Sequence, residues 1–514
     1  MGHHLVLAAT LLFAALAGSA WAEVCPKRGG IIRTVDMNLP AVDPAISVDP
    51  ESYTRLVYDS LIDVLPDLTY RPGLASELPE QVDPKTYVFH LRDGVTFHDG
   101  TKFDAEAVKF NVDRLVSGKV ISPFTGIWRE LLEQVVVVDP LTVRFELKKP
   151  WPDFDWTVAS TLFFGSPTLI NQLGREYGVK GAAGTGPFVF KSFTPFQRIE
   201  LTRNPNYYRT GEPCVDGLQG AFYASGSLRL LALLKGDLTN VYTFPESDLK
   251  LLEGRPEAVV QEAEATTLTM MVVNTRNPAL RDVRVRQAIQ HGINGQEIID
   301  KVYGGRGKLV ESLFPPWHPA FVKAGDLSPL QHDPARAKAL LAEAGYGPDR
   351  PLKINLQCYN APAHVDRAVL MQAQLKPLGI EITVTQLPSG QAQANLAAGR
   401  YELSLTQIDG GPTIRDYSWD LLASTSGRNA AYFNKPDGFQ DKEAEALVQR
   451  LGTAADPVAA RADIQALQER IFRDLPYIYV NQRNARDAWR SEEKGFVQSK
   501  LKNHQDFRTV WFDR

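Results

Sequence analysis

The chain has only three cysteines in 514 residues and no pair at CxxC spacing, which excludes a dense disulfide framework and a cysteine-built zinc site. GxSxG, HExxH and Walker A patterns are missing as well, so the usual signatures of a serine hydrolase, a zinc protease and a P-loop nucleotidase are all absent. No basic block stands out. With 56 Lys and Arg against 60 Asp and Glu, a net charge of -4 gives no reason to expect nucleic acid as a partner. The nine histidines are scattered, and each reads as structural before it reads as a metal ligand. No short-period repeat, low-complexity tract or Gly/Ser linker interrupts the chain.

The N-terminus carries an apolar run, Leu5 to Ala17, that is too brief to span a bilayer. Ala20-Trp21-Ala22 follows and fits the small-x-small cleavage rule, so a signal peptide over residues 1–22, cleaved after Ala22, and export to the periplasm are expected. His3 and His4 stand where Lys or Arg is usual, and an N-terminal buried helix is the competing reading. Leu16-Ala17-Gly18 is followed by Ser19 where a lipid-bearing Cys would be needed, so the mature protein is expected to be soluble and not lipidated. For an exported chain, three cysteines suggest one disulfide and one remaining thiol, and spacing alone does not fix the pairing.

A chain of this length exceeds what one core usually supports, so two or more lobes are expected, and its 44% apolar and 23% charged residues are ordinary for a globular protein. Strand and helix patterns alternate, which makes the class mixed α/β. The most informative stretch is Thr86 to Leu115, TYVFHLRDGVTFHDGTKFDAEAVKFNVDRL. Tyr87, Phe89 and Leu91 alternate with Val88, His90 and Arg92 as in a half-buried strand, and Asp93-Gly94 turns the chain. A second short strand and a second turn at Phe97 to Gly100 precede Asp104, a natural N-cap. Phe103 and Val108 hold the two positions of a hydrophobic staple.

Further along, Asp333-Pro334 opens a helix over Ala337 to Ala344 closed by Gly345. A strand at Leu352 to Gln357, a helix from about His364 to Leu378 and a strand at Ile380 to Val384 make a βαβ-like order. Asp456-Pro457 is expected to start a helix reaching about Arg473, with a strand at Pro476 to Val480. GAAGTGPF at Gly181 to Phe188 runs into a strand, whereas a phosphate loop opens a helix.

The Thr86 run resembles a signature of the large solute-binding proteins of ABC importers, the family 5 or peptide/nickel/opine class that includes dipeptide- and oligopeptide-binding proteins. Similar stretches follow in the family's order: YDSLID at Tyr58 to Asp63, GTGPFVF at Gly184 to Phe190, RNPNYYRTGEPCVDGL at Arg203 to Leu218 and VRVRQAIQHGIN at Val283 to Asn294. AKALLAEAGY at Ala337 to Tyr346 and MQAQLKPLGIEITV at Met371 to Val384 complete the set. The resemblance covers nearly the whole chain after the leader. It implies a periplasmic-binding-protein-like α/β fold of class II, cluster C, with two hinged lobes and an extra inserted domain. On that template lobe I takes 23–64, 187–273 and 489–514, the insertion 65–186, and lobe II 274–488. Val272 to Thr275 is then the first crossing between lobes, and Asn481 to Ala488 the return. The resemblance also implies a Cys25–Cys214 bridge, because related proteins staple the mature N-terminus to this loop.

The implied function is that of a monomeric periplasmic receptor. It captures a small solute between the lobes and hands it unchanged to an inner-membrane ABC permease, with no cofactor, metal or catalytic residue. Short peptides or amino-acid conjugates such as opines lead the ligand classes. A nickel chelate or an oligosaccharide is the alternative within the family, and a periplasmic hydrolase or a pure sensory receptor the alternative outside it. Asp409, in LTQIDGG, falls where peptide-binding relatives place the acid that holds a ligand's amino terminus. Thr406 and Gly411-Pro412-Thr413 depart from the family's surrounding pattern, and an acid in a solvated turn or helix cap is the competing reading. Arg415 and Tyr417 are candidates for an anion clamp and a stacking group. Trp419 is a second stacking candidate, although Trp419 and Leu422 also sit at helical spacing. Trp317, in LFPPWHP, is a candidate aromatic wall. Trp128 and Arg129 in the insertion, and Arg367 at a helix start, are further candidates for the cleft, the arginines for meeting a carboxylate.

Overall fold

The computed structural model describes residues 24–35, 40–46, 53–120, 122, 124–223, 225–242, 244, 246–454, 456–501 and 505–514, with the backbone alone considered at 246, 247, 264–266, 409, 419 and 485. The expected leader and its cleavage point lie outside the described residues.

The Thr86 run folds as its pattern dictates. Thr86–His90 is a strand that buries Tyr87 and Phe89 and leaves His90 exposed. The Asp104 carboxylate accepts from the Ala107 amide at the start of the helix Ala105–Ser117, and Phe103 and Val108 are both buried, as a staple requires. The expected second strand shrinks to a single bridge between Thr96 and Lys102. The cause is Asp99, whose carboxylate folds back onto the Thr101 amide and hydroxyl and tightens the turn before a ladder can form.

Three sheets organise the chain. In the first, Ile31–Val35 pairs in parallel with Gly217–Ala221, which is followed by antiparallel Arg198–Arg203 and Phe188–Thr194. The second is an antiparallel sheet ordered Glu80–Asp83, Thr86–His90, Thr142–Leu147, Leu132–Asp139. The third runs Asn240–Tyr242, Tyr477–Arg490, Ala258–Val273, Leu403–Asp409, Leu352–Tyr359, Ile380–Leu387. Its last two strands are parallel and joined by the helix Pro362–Leu375, the expected βαβ order. The helix expected from Asp456 begins later, at Arg461, because Asp456 caps a separate turn through the Val458 amide.

The apolar cores follow these sheets. Ile32, Leu56, Phe188, Leu201, Leu218 and Phe512 belong to the first lobe, Phe89, Trp128, Val143, Phe145 and Phe154 to the insertion. The second lobe is built on Met271, Ile289, Leu356, Leu405 and Ile471. Each such fully buried side chain contributes roughly 1.5–3 kcal/mol. Two expected borders move. Leu61, Ile62 and Val64 already pack into the insertion, while Phe163, Ile170, Tyr177 and Ala182 pack into the first lobe, so the body is not the single span 65–186. The GTGPF motif acts as a spacer between these parts: a Cβ on Gly184 would stand 2.1 Å from the Val57 carbonyl oxygen, a contact only glycine permits.

The lobes are joined by the two long strands Ala258–Val273 and Tyr477–Arg490. Their register is continuous from Ala258 to Ala263 and breaks before Thr267. Leu268 to Val273 then lie in the second core, so the first crossing precedes the expected Val272 to Thr275. The return strand pairs on either side of this break at Ala485 and Arg483. Cys25 and Cys214 are bonded, tying the start of the described chain to the loop after Pro213, and Cys358 is a buried free thiol.

Candidate interlobe binding site

Asp409 ends the strand Leu403–Asp409 at the point where the lobes meet. Its register partner is Thr267, which in turn faces Arg483 on the other crossing strand, so the three lie abreast at the hinge. The side chains of Asp409 and Trp419 are outside the described residues; Trp419 opens the short helix Trp419–Leu422.

Beside Asp409 the strand carries a polar network. Arg367 is fully enclosed, donating to the Ala363 carbonyl and, at 2.7 Å, to the Tyr303 hydroxyl. With its amide turned to accept, the Gln407 oxygen stands 3.0 Å from Arg367 Nη1 and 2.9 Å from Arg483 Nη1. Two guanidiniums thus converge on one neutral acceptor at the cleft floor, a concentration of positive charge suited to an anion. Arg367 differs from the open carboxylate clamp expected of it: it is packed beneath Gln407, Thr269 and Tyr303.

After Asp409 the chain passes against the insertion. Gly410 and Gly411 are required there, since a Cβ would meet the Tyr417 ring at 2.3 Å in the first case and Trp156 at 2.5 Å in the second. Thr413 and Asp416 form a capping box on the helix Ile414–Tyr417. Arg415 extends to the insertion, where its guanidinium lies 3.9 Å from the centre of the Trp151 ring, 3.9 Å from Glu130 and 4.0 Å from Asp420. A desolvated cation–π contact of this kind contributes up to about 2 kcal/mol. Arg415 therefore fastens the second lobe to the insertion, in contrast to the ligand clamp expected from sequence. The lobes are closed in this structure.

Four acids crowd the same seam. Burial raises the carboxyl of Asp153 to about 7, with Asp416 adding to the effect, and raises that of Asp416 to about 6, with Asp420 adding. Asp155 is also raised by burial. Asp153 occupies the N-cap of the helix Phe154–Thr161 yet makes no capping bond, forgoing a contact worth roughly 0.5–2 kcal/mol.

Other expected site residues fall elsewhere. Trp128 is a core residue at 0% exposure, its indole N–H donated to the Thr161 hydroxyl and its ring against Phe145 and Phe154. Arg129 is exposed and donates to the Val116 carbonyl, steadying the end of the helix Ala105–Ser117. Tyr417 is buried against Phe314 and His318 in the second core and does not form a cleft wall. Trp317 is half-buried beside His318, whose basicity burial lowers to about 4. Sequence reading passed over Glu130, Trp151, Asp153 and Trp156. The run WPDFDW at Trp151 to Trp156, alternating aromatics and acids, was the available signal.

Among the described residues no group of three or more His, Cys, Asp or Glu is placed to hold a metal, and no described helix is long and apolar enough to cross a membrane. A cavity of about 850 Å³ lies not at Asp409 but beside the crossing strands, lined by Leu252, Arg255, Val260, Glu262 and Arg306.

The fold and the closed cleft define a two-lobe, hinged solute-binding protein. The family described as bacterial extracellular solute-binding proteins, family 5 Middle, matches residues 69–430, and the chain belongs to it. It is 30% identical to di/tripeptide-binding protein 4 of Pseudomonas aeruginosa over 90% of each chain. It is 26% identical to di/tripeptide-binding protein 2 of the same organism over 98% of each. Its fold is similar to that of the periplasmic binding protein DppA of Helicobacter pylori in complex with the peptide STSA, with a TM-score of 0.84 and 23% identity over 95% of this chain and 99% of that one.

Proposed function

We propose that the protein is a periplasmic receptor for short peptides or peptide-like compounds, freed of its leader after Ala22, untethered by lipid, and acting as a monomer that delivers its ligand unchanged to an inner-membrane ABC permease. The observation that carries the ligand class is the position of Asp409, abreast of Thr267 and Arg483 at the lobe crossing. Asp409 at this register position supplies an acid suited to an ammonium group, and the Arg367–Gln407–Arg483 network supplies positive charge suited to a carboxylate, the two ends of a peptide. The relatives named as di/tripeptide-binding proteins support the same class.

Closure supplies the signal to the permease. A ligand touching both lobes binds only the shut form fully, and a preference of about 3 kcal/mol multiplies the closed-to-open ratio by roughly a hundred. Mass spectrometry of the small molecule released from purified protein tests the ligand class. A short peptide or amino-acid conjugate is expected; a nickel chelate or a sugar would overturn it.

A further inference from the structure

We propose that closing the cleft takes up a proton on the Asp153 carboxyl, so that the open–closed equilibrium is linked to pH. The inference rests on the opening and closing of the cleft and is independent of the ligand's identity.

The geometry comes from both sides of the seam. Asp153 belongs to the insertion, where its helix carries Asp155 and its neighbours include Tyr70 and Tyr87. The groups facing it from the second lobe are Thr413, Arg415, Asp416 and Asp420. Its carboxylate leaves the amides of its own helix uncapped. Arg415 over Trp151 and Gly411 against Trp156 hold the second lobe to the insertion at the same seam.

The charges at the seam do not balance. Lys149 is 2.6 Å from Glu130, and Arg428 is 2.6 Å from Asp420, so each of those acids has a cation. Asp153, Asp155 and Asp416 remain: Arg415 faces Asp153 and Asp416 but is shared with Glu130 and Asp420, and Arg428, already held by Asp420, is the other cation near Asp416. Carboxylates brought together in a drying interface do not all stay ionised. The raised carboxyls of Asp153 and Asp416 agree with this.

The sign follows from linkage. In the open form Asp153 loses Thr413, Arg415, Asp416 and Asp420 as neighbours, and its carboxyl returns towards the ordinary value of about 4. The closed form holds the proton more tightly, so its advantage is complete below about pH 4 and disappears as pH rises through about 7. One proton taken up changes the closed-to-open ratio by at most about tenfold per pH unit in that window.

Spin labels on cysteines placed at the exposed Glu133 of the insertion and Glu381 of the second lobe report the separation in the full, ligand-free chain by double electron–electron resonance. The short-distance population is expected to grow severalfold from pH 8 to pH 5.5. Asp153→Asn should flatten that response and keep the closed population high at pH 8, and Asp416→Asn should raise the closed population at pH 8 as well. A distribution that does not change with pH, or an unchanged response in Asp153→Asn, overturns the inference. Calorimetry with trialanine reads the peptide assignment separately: binding without a pH response removes the proton linkage alone, and a pH response without binding removes the peptide class alone.

Discussion

Arg306 of the second lobe donates to Glu262 of the first at 2.7 Å, across the break where the crossing strands change lobes. The same carboxylate also accepts from Arg486 at 3.1 Å and from Asn484 at 3.2 Å, so Glu262 stays with its own lobe whether or not Arg306 is present. Arg306 is half-exposed, and exposed pairs contribute about 0.2–1 kcal/mol. Arg306→Ala is therefore expected to weaken ligand binding by no more than about fivefold. The loss should vanish in 1 M salt, where the screening length is about 3 Å. Calorimetry at two ionic strengths checks it, and a large, salt-independent loss would contradict an electrostatic hinge contact.

Asp409→Asn should weaken an amine-bearing ligand at least tenfold, about 1.4 kcal/mol, while an analogue with a blocked amino terminus loses little. Unchanged affinity for the free amine by calorimetry would remove Asp409 from the site.

Glu493 is buried at 1% exposure with the Asn240 amide donating to it, and burial pushes its carboxyl up to about 8. The unfolded chain releases this proton near pH 4.3, whereas the folded one keeps it to about 8, so folding takes up a proton and stability falls as pH rises between those values. Glu493→Gln escapes that loss. Its stability relative to the parent should improve by up to about 1.4 kcal/mol per pH unit from pH 5 to pH 8 in urea unfolding, and an advantage independent of pH would show that Glu493 is ionised in the fold.

The Cys25–Cys214 bond closes a loop with a sequence separation of 189 residues. Cys214→Ser is expected to cost about 2–5 kcal/mol of stability, measured as a lower urea midpoint, with ligand affinity retained because the bond lies in the first lobe away from the crossing strands. Unchanged stability would place the bond outside the cooperative unit.

The architecture was legible where local chemistry is strong. Asp104 and Asp333 mark helix starts in sequence and do so in the structure. The Asp456 helix start failed because an Asp-Pro pair caps a turn as readily as a helix. The lobe border is hard to place from sequence because one strand, Ala258–Val273, runs through the crossing and only its pairing register marks the change, between Ala263 and Thr267. Site residues were harder still. Trp128 and Tyr417 have the composition of a cleft wall and the burial of a core, a difference set by which side of an element faces the other lobe. Asp153 and Arg415 acquire their roles only when two distant segments meet, and spacing along the chain carries no trace of that meeting.

Small-angle X-ray scattering of the purified protein, before and after saturation with the ligand identified by mass spectrometry, addresses the closing of one lobe on the other. A smaller radius of gyration and a shorter maximum dimension in the saturated sample are expected. Superimposable profiles with and without a tightly bound ligand would contradict a receptor that signals occupancy by shape.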